Sequence, residues 1–204
     1  MKRLNIILFL LALAVLTVKA KKLKVADIFG DNMVLQQKTV TPIWGWADAG
    51  TTVTVTSSWN DKSYSAKAGR DGTWRIMLHT PEAGGPYVLT ITGDNALIFS
   101  DIYVGEVWLA SGQSNMAMQL KECYESTKAI LTSQKSNIRF INVPPLGSYK
   151  PLTDIKADWV VAAPENVGDC SAVAWYFAHF IQENLGVPVG IINASFGGSV
   201  VEPG

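Results

Sequence analysis

The sequence predicts a chain of two parts, an antiparallel β-sandwich followed by an α/β unit with a parallel sheet. Between Thr52 and Ile91, apolar and polar residues alternate with period two, and turn residues separate the runs. From about residue 101, strand-like runs alternate with helical segments, which is typical of a parallel sheet with helices on both faces. We therefore expect a signal peptide at residues 1–20, a β-sandwich domain at 21–100 and an α/β domain at 101–204.

The N-terminal segment has the parts of a secretory signal. Lys2 and Arg3 are basic, and the apolar stretch Ile6 to Leu16 is short for a membrane span. Val18-Lys19-Ala20 then offers a small-x-small cleavage site. We expect cleavage after Ala20 and a secreted or periplasmic protein. A membrane anchor is the alternative, although no cysteine follows for lipid attachment.

The charge of the mature chain argues against two classes of partner. Removal of Lys2, Arg3 and Lys19 with the signal leaves 14 basic side chains against 17 acidic ones, a net charge of −3. Nucleic acids and anionic membranes favour a basic patch, so we expect neither as a partner.

Metal-binding patterns are missing from the sequence. Cys123 and Cys170 are not in a CxxC spacing, and there is no His/Cys cluster. The acidic loop Asp27 to Asp31 lacks the ligand spacing of a calcium loop and is predicted to be a turn. We expect no metal. The two thiols either pair in an oxidising compartment or stay free, and the sequence leaves both open.

Four alternating runs define the predicted sandwich. After a turn at residues 69–72 and a loop at 81–86, the alternation resumes each time with an aromatic residue. Closely spaced strands of this kind suggest a small sandwich. The residues predicted to face its core are Val53 and Val55, then Tyr64, Ala66 and Ala68, then Trp74, Ile76 and Leu78, and finally Tyr87, Leu89 and Ile91.

Four tryptophans of this unit have two interpretations. They either form a platform on which sugar rings stack, or they anchor the core, because tryptophan buries a large area. We favour the core. The four are Trp44, Trp46, Trp59 and Trp74.

The second unit alternates helices and strands. A helix is expected over much of residues 117–131, a strand at 138–143 and a long loop at 144–168. The next helix has Ser171 as N-cap and ends before Gly186. A second buried strand, residues 187–194, follows it. The helix is expected to bury the apolar stripe Val173, Phe177, Ile181 and Leu185.

The first functional candidate is Ser114. An apolar, β-prone run from Tyr103 to Ala110 breaks at Ser111-Gly112, and helix-tolerant residues follow. Ser114 is thus predicted at a strand-to-helix turn at the carboxyl edge of the sheet, where ligands bind in open α/β folds. There, backbone N–H groups can stabilise an oxyanion. The loop is either that of a nucleophile or an ordinary turn with a capping serine. It is not a G-x-S-x-G elbow, because Met116 replaces the last glycine.

Several stretches resemble one family. The first is Val104 to Met116, which includes Gly112-Gln113-Ser114-Asn115-Met116. The others are Met33 to Gln37, Ser171 to Phe177, and Val187 to Ser199 with its double glycine. Together they resemble the sialate O-acetylesterase family, in the carbohydrate acetylesterase branch of the SGNH hydrolases. The resemblance spans nearly all of the mature chain and implies a β-sandwich beside a flavodoxin-like α/β/α hydrolase domain.

The resemblance also implies roles for residues of this chain. Ser114 is the expected nucleophile, and its N–H together with that of Gly197 or Gly198 is the expected oxyanion hole. Gln113 and Asn115 are expected to support the loop. No cofactor is implied.

The expected catalytic base is missing. The family takes its histidine from a late D-x-x-H block and an oxyanion-hole asparagine from a block between, and neither is found. His79 lies in the β unit, and His179 lies off the apolar stripe of its helix, so we assign neither as the base. Residues 101–204 are also about half of what a complete domain needs, and the last strand would lack neighbours. We expect an N-terminal portion of an esterase that is weakly active or inactive alone.

The expected activity of the whole enzyme is removal of O-acetyl groups from a sugar, sialic acid by nearest resemblance. Acetylated plant polysaccharide is the alternative substrate. A secreted, non-catalytic carbohydrate-binding protein that uses the tryptophan-rich unit is the alternative of another class.

Overall fold

A computed structural model describes residues 22–198, and the predicted signal peptide at 1–20 lies outside them. The described part is mostly β with few helices. No helix in it is long and apolar enough to cross a membrane. The strands are β1 (Lys24–Val25), β2 (Val34–Gln36), β3 (Val40–Trp46), β4 (Thr52–Ser57), β5 (Ser63–Lys67), β6 (Thr73–His79), β7 (Gly84–Thr92), β8 (Ala96–Gly112), β9 (Ile138–Asn142), β10 (Val160–Val161) and β11 (Val189–Ser195). The α-helices are α1 (Ser114–Ala117), α2 (Ser126–Thr132) and α3 (Ala172–Leu185), and 3-10 turns lie at Leu120–Glu122, Ser133–Lys135 and Val167–Asp169.

The strands form two sheets. Strands β1, β3 and β6 make an antiparallel sheet in that order. The larger sheet has the order β10-β9-β11-β8-β7-β4-β5, with β2 beside β8. Pairing is antiparallel from β8 to β5 and parallel among β8, β11 and β9. The alternation that predicted the first unit matches the burial, because Val53 and Val55 of β4 and Leu89 and Ile91 of β7 are fully buried.

One strand runs through both predicted units. Strand β8 is 17 residues long and crosses the expected boundary at residue 100, pairing with β7 first and with β11 later. Asp101, at the boundary, has a left-handed backbone conformation with φ of 53°. The division into two domains stays a prediction.

The expectation that the last strand would lack neighbours was wrong. Strand β11 lies between β8 and β9 and pairs with both. The crossover through α3 returns the chain to the middle of the sheet, because parallel neighbours require such a connection.

Buried apolar side chains form two clusters. The larger is built mainly from strands β1 to β8 and includes Trp159, whose Nε1 donates to the Ile28 carbonyl over 2.8 Å. The loop at 144–168 is therefore tied back to the first unit. The smaller cluster lies between α3 and strands β9 and β11, around Trp175.

The helix expected over residues 117–131 is broken. The backbone at Gln119 pairs instead with Ser171 in a short bridge. Leu120 N donates to the Cys170 carbonyl and Ala172 N to the Met118 carbonyl, both over 2.9 Å. These hydrogen bonds to a distant segment satisfy the backbone in place of a helical turn, so tertiary contacts override the local helical pattern.

Helix α3 has the predicted ends but buries another face. Ser171 Oγ accepts a hydrogen bond from Ala174 N over 3.2 Å, and Gly186 ends the helix with φ of 66°. Of the predicted stripe, Ile181 packs against the smaller cluster, but Val173, Phe177 and Leu185 are exposed. The helix packs on the sheet through Trp175 and small residues, which let it approach closely, and these small residues are Ala172, Ala174 and Ala178.

Candidate active site

The turn that presents Ser114 depends on Gly112. Gly112 has φ of 146°, a conformation that residues with a side chain rarely adopt. A Cβ at this position would also lie 3.2 Å from the Cβ of Met116. Strand β8 ends here, and α1 begins two residues later with Ser114, which is exposed. The predicted strand-to-helix turn is therefore present, although the helix has only four residues.

The neighbouring strand brings Gly197 against Ser114. Ser195 of β11 is paired in register with Gly112, and Phe196 N donates to the Gly112 carbonyl over 2.9 Å. A methyl group at Gly197 would lie 3.7 Å from Cα and 3.9 Å from Cβ of Ser114. Gly197 is thus in van der Waals reach of the candidate nucleophile.

Gly198 has a different part in the same turn. Its φ of 83° is left-handed, and a Cβ there would meet nothing within 4 Å among the described residues. Gly198 therefore gives the turn its conformation, whereas Gly197 is the glycine at which a side chain would contact Ser114.

A cavity of about 640 Å³ opens beside this turn. It lies at the carboxyl ends of three parallel strands, where ligands bind in α/β sheets. None of the lining residues within 22–198 is charged, so this part of the lining suits a neutral group such as an acetyl. The lining comprises Leu109, Ser111 and Gly112 after β8, Val143 to Ser148 after β9, and Ala194, Ser195 and Phe196 at the end of β11.

A polar ladder that the sequence did not predict supports the strand ends. Asn193 Nδ2 donates to Asn142 Oδ1 over 3.0 Å, and Ser195 Oγ donates to Asn193 Oδ1 over 2.7 Å. Val143 N donates to the carbonyl of Asn193 over 2.8 Å. The ladder fixes the end of β11 immediately before Gly197. Its sequence signal is an asparagine inside each of two apolar strands.

The segment Met33 to Gln37 holds strand β8 from its other side. Gln36 Oε1 accepts from Val107 N over 2.8 Å, and Gln37 Nε2 donates to Glu106 Oε1 over 2.8 Å. Gln37 Oε1 also accepts from Ala83 N. These two glutamines thus tie the middle of β8 to β2 and to the loop before β7, upstream of the Ser114 turn.

The residues beside Ser114 are exposed. Gln113 is the N-cap of α1, and its carbonyl accepts from Ala117 N over 2.9 Å. Asn115 is on the first turn of the helix. Their roles as loop supports stay predictions.

Neither histidine contacts Ser114. His79 stacks on Tyr64 at the end of β6, with ring centres 5.9 Å apart. His179 Nδ1 lies 3.4 Å from a carboxylate oxygen of Glu183, one turn further along α3. Among residues 22–198, the Ser114 hydroxyl makes no hydrogen bond to either ring. The described residues therefore present the candidate nucleophile without a histidine base.

The two cysteines and the acidic loop from Asp27 to Asp31 are the other candidate ligands or reactive groups that the sequence raised. Cys123 and Cys170 are free thiols, and burial raises the pKa of Cys170 to about 12. Asp31 Oδ1 accepts from the N–H and hydroxyl of Ser100, and Asp27 pairs with Lys24. The backbone turns at residues 27–28 and 31–32, as the sequence predicted for the acidic loop. Within residues 22–198, no group of three or more His, Cys, Asp and Glu residues is placed to hold a metal ion.

Comparison with known proteins confirms the resemblance found in the sequence. The human sialate O-acetylesterase is 32% identical over 87% of this chain, and the rat protein of the same name is 30% identical over the same share. The chain spans only 38% and 36% of the lengths of these relatives. No model of a protein family matches.

A solved structure agrees in fold. A carbohydrate acetylesterase from Xanthomonas citri superimposes with a TM-score of 0.85 at 34% identity. The match covers 89% of this chain and 42% of the other. The chain is therefore related to carboxylic ester hydrolases, and it corresponds to less than half of each.

Proposed function

From the relationship of this chain to the sialate O-acetylesterases, we propose that Ser114 is the nucleophile of a serine esterase that removes O-acetyl groups from a sugar. The observation that carries the proposal is the position of Ser114 at the carboxyl edge of the parallel strands, with Gly197 against it. The cavity beside the turn, whose described lining is uncharged, suits the neutral acetyl group of such a sugar.

The proposed reaction proceeds through an acetyl-serine. The Ser114 oxygen attacks the acetyl carbonyl carbon while its proton passes to a base, and the carbonyl oxygen becomes an oxyanion. The N–H groups of Ser114 and Gly197 stabilise that oxyanion. The C–O bond to the sugar then breaks, and the sugar oxygen takes a proton. Water hydrolyses the acetyl-serine to acetate and restores the hydroxyl.

The base comes from a part of the enzyme that residues 22–198 do not include. His79 and His179 are engaged elsewhere, and a serine hydroxyl is a poor nucleophile without a base. We therefore propose that residues 22–198 alone are weakly active or inactive, and that a D-x-x-H block completes the whole enzyme.

We also propose an architecture for the two units of the chain and a cellular location for the mature protein. The first unit is a β-sandwich, the second is part of a flavodoxin-like α/β/α domain, and the mature protein is secreted or periplasmic. The mixed sheet, with its antiparallel and parallel halves meeting in β8, supports the architecture.

Acetate release from the protein encoded by the complete reading frame tests the activity. Substrates are O-acetylated sialic acid and acetylated xylan, and the preferred one separates the two substrate classes. Ser114→Ala is expected to remove the activity, and Ser63→Ala, on β5, serves as the matched control. Activity that survives Ser114→Ala would refute the assignment of the nucleophile.

The same assay on residues 22–198 tests the proposal about the base. We expect less than about one thousandth of the activity of the whole enzyme, because loss of one member of a catalytic triad costs on the order of 10⁴ to 10⁶. Comparable turnover that depends on Ser114 would show that these residues contain a base.

A further inference from the structure

We propose that a groove on the three-stranded sheet, lined by Trp44, Trp46 and Arg75, binds an anionic sugar at a site separate from Ser114. The groove has a volume of about 650 Å³, within the usual range for small-molecule sites. It shares no lining residue with the cavity beside Ser114. Its lining is Trp44, Gly45, Trp46, Lys67, Gly69, Thr73, Trp74, Arg75, Leu152 and Thr153.

Strand alternation puts the two indoles on one face. In β3, Ile43 and Gly45 are buried, so Trp44 and Trp46 point to the other side and are partly exposed. Arg75 of β6 is paired with Trp44 across the sheet. Cross-strand partners share a face of the sheet, so Arg75 projects from the same face as Trp44 and Trp46.

The indoles are held in place before any ligand arrives. The Trp44 ring packs edge-to-face on Phe29, with ring centres 4.7 Å apart. Its Nε1 donates to the Thr153 carbonyl over 3.4 Å. The ammonium of Lys24 lies 5.3 Å from the Trp46 ring centre. A preorganised aromatic wall lowers the entropy cost of binding a rigid ring.

The other two tryptophans do not contribute a platform. Trp74 is 3% exposed and belongs to the core, and Trp59 packs edge-to-face on Tyr87. From the sequence, we favour a core position over a sugar platform for all four tryptophans. In the structure, Trp59 and Trp74 pack against their neighbours, and Trp74 borders the groove only from the core. Trp44 and Trp46 are the partly exposed indoles of the groove.

The charge of the groove indicates an anionic ligand. Lys67 and Arg75 line it, and no acidic residue does in the part of the chain that the structure describes. Within residues 22–198, neither cation forms a salt bridge, whereas Lys24 is paired with Asp154 over 2.5 Å. A guanidinium binds a carboxylate through two parallel hydrogen bonds, and an indole face packs on the C–H groups of a pyranose. A sugar that carries a carboxylate satisfies both.

Titration of the mature protein with trigalacturonic acid, followed by tryptophan fluorescence and calorimetry, tests the proposal. The methyl ester of the same trisaccharide keeps the rings and removes the charge. We expect the acid to bind at least about tenfold more tightly than the ester, and Arg75→Gln to remove that difference. Trp46→Ala is expected to weaken the binding of both the acid and the ester.

Two controls make the result decisive. Arg70→Gln removes an exposed arginine outside the groove and is expected to change nothing. Ser114→Ala is also expected to leave binding unchanged, so failure of the esterase proposal does not affect this one. Circular dichroism verifies that each variant is folded. Absence of binding up to about 10 mM, equal binding of acid and ester, or binding insensitive to Arg75→Gln and Trp46→Ala would each overturn the proposal.

Discussion

Arg139 binds Asp101 where the two predicted units meet, with Nη2 of the arginine 3.0 Å from Oδ2 of the aspartate. The arginine side chain comes from β9 and is only 4% exposed. Its guanidinium lies over the Tyr103 ring, 3.9 Å from the ring centre, and Nη1 donates to Asn137. The contact fixes the left-handed kink of β8 at Asp101 to the parallel half of the sheet.

Replacement of Asp101 by asparagine is therefore expected to lower the free energy of unfolding by about 1–2 kcal/mol. The change leaves a buried guanidinium without its counter-charge. Asparagine tolerates the left-handed conformation, so the backbone adds little strain. This expected loss is small for an ion pair with a buried partner, because the Asp101 side chain is 41% exposed to solvent. Urea unfolding of both proteins measures it.

The matched control is the surface pair Lys121–Asp169, in which both side chains are more than half exposed. Asp169→Asn is expected to change stability by less than about 0.5 kcal/mol. Equal effects at the two sites would show that the buried arginine gains no special stabilisation from Asp101.

The strands of the first unit were predictable because a half-buried strand must alternate along its length. The helix at α3 shows the limit of such patterns. Both the face with Trp175 and the face with Val173 and Phe177 are apolar, and periodicity cannot tell which one meets the sheet. Alanine is a weak hydrophobic signal, yet its size allows the close approach that decides the packing.

The candidate site was predictable to a similar degree. Ser114 follows from a strand ending in glycine, and the resemblance pointed to the double glycine without choosing between its members. To tell that Gly197, and not Gly198, lies next to Ser114, one needs the register between β8 and β11. That register depends on contacts between residues distant in sequence. The ladder through Asn193 needs the same register, because Asn142 lies on another strand.

The packing of α3 gives a second prediction. Trp175→Ala is expected to cost about 3–5 kcal/mol, since the side chain is 1% exposed. Val173→Ala, on the exposed face, is expected to cost less than about 0.5 kcal/mol. Thermal unfolding compares the two variants. A larger loss of stability in Val173→Ala than in Trp175→Ala would show that the helix buries the face that the sequence predicted.

The two cysteines are expected to react differently with an alkylating reagent. The pKa of Cys170 is raised to about 12 by burial, so about one thiol in 10⁴ is ionised at pH 8. Cys123 is partly exposed. Iodoacetamide on the folded protein should modify Cys123 and spare Cys170, while both react in denaturant. Mass spectrometry of the peptides distinguishes these results. Protection of both cysteines until a reductant is added would instead show a disulfide.

Asp154 is expected to make stability depend on pH. Burial alone would raise the pKa of this carboxyl, but hydrogen bonds from Lys24 and the N–H of Asp27 bring it below the ordinary 3.8. A lowered pKa adds stability above the ordinary value, and that stability is lost as the pH falls through the lowered one. Asp154→Asn should therefore cost about 1 kcal/mol at pH 7 and progressively less below pH 4. Urea unfolding across this range measures the difference, and a constant difference would contradict the assignment.

The two glycines after β11 are expected to respond differently to alanine. At Gly197 the new methyl group would lie 3.7 Å from Ser114 Cα, an ordinary contact, so the protein should fold normally. The methyl group would crowd the space over the nucleophile and lower acetate release by the whole enzyme about 10- to 100-fold. At Gly198 the methyl group meets no atom of residues 22–198 within 4 Å, but φ of 83° becomes strained and stability falls by about 1 kcal/mol. Parallel measurement of turnover and melting temperature separates the two effects. Loss of stability at Gly197 with full turnover would mean that this glycine shapes the turn and does not face the reacting acetyl group.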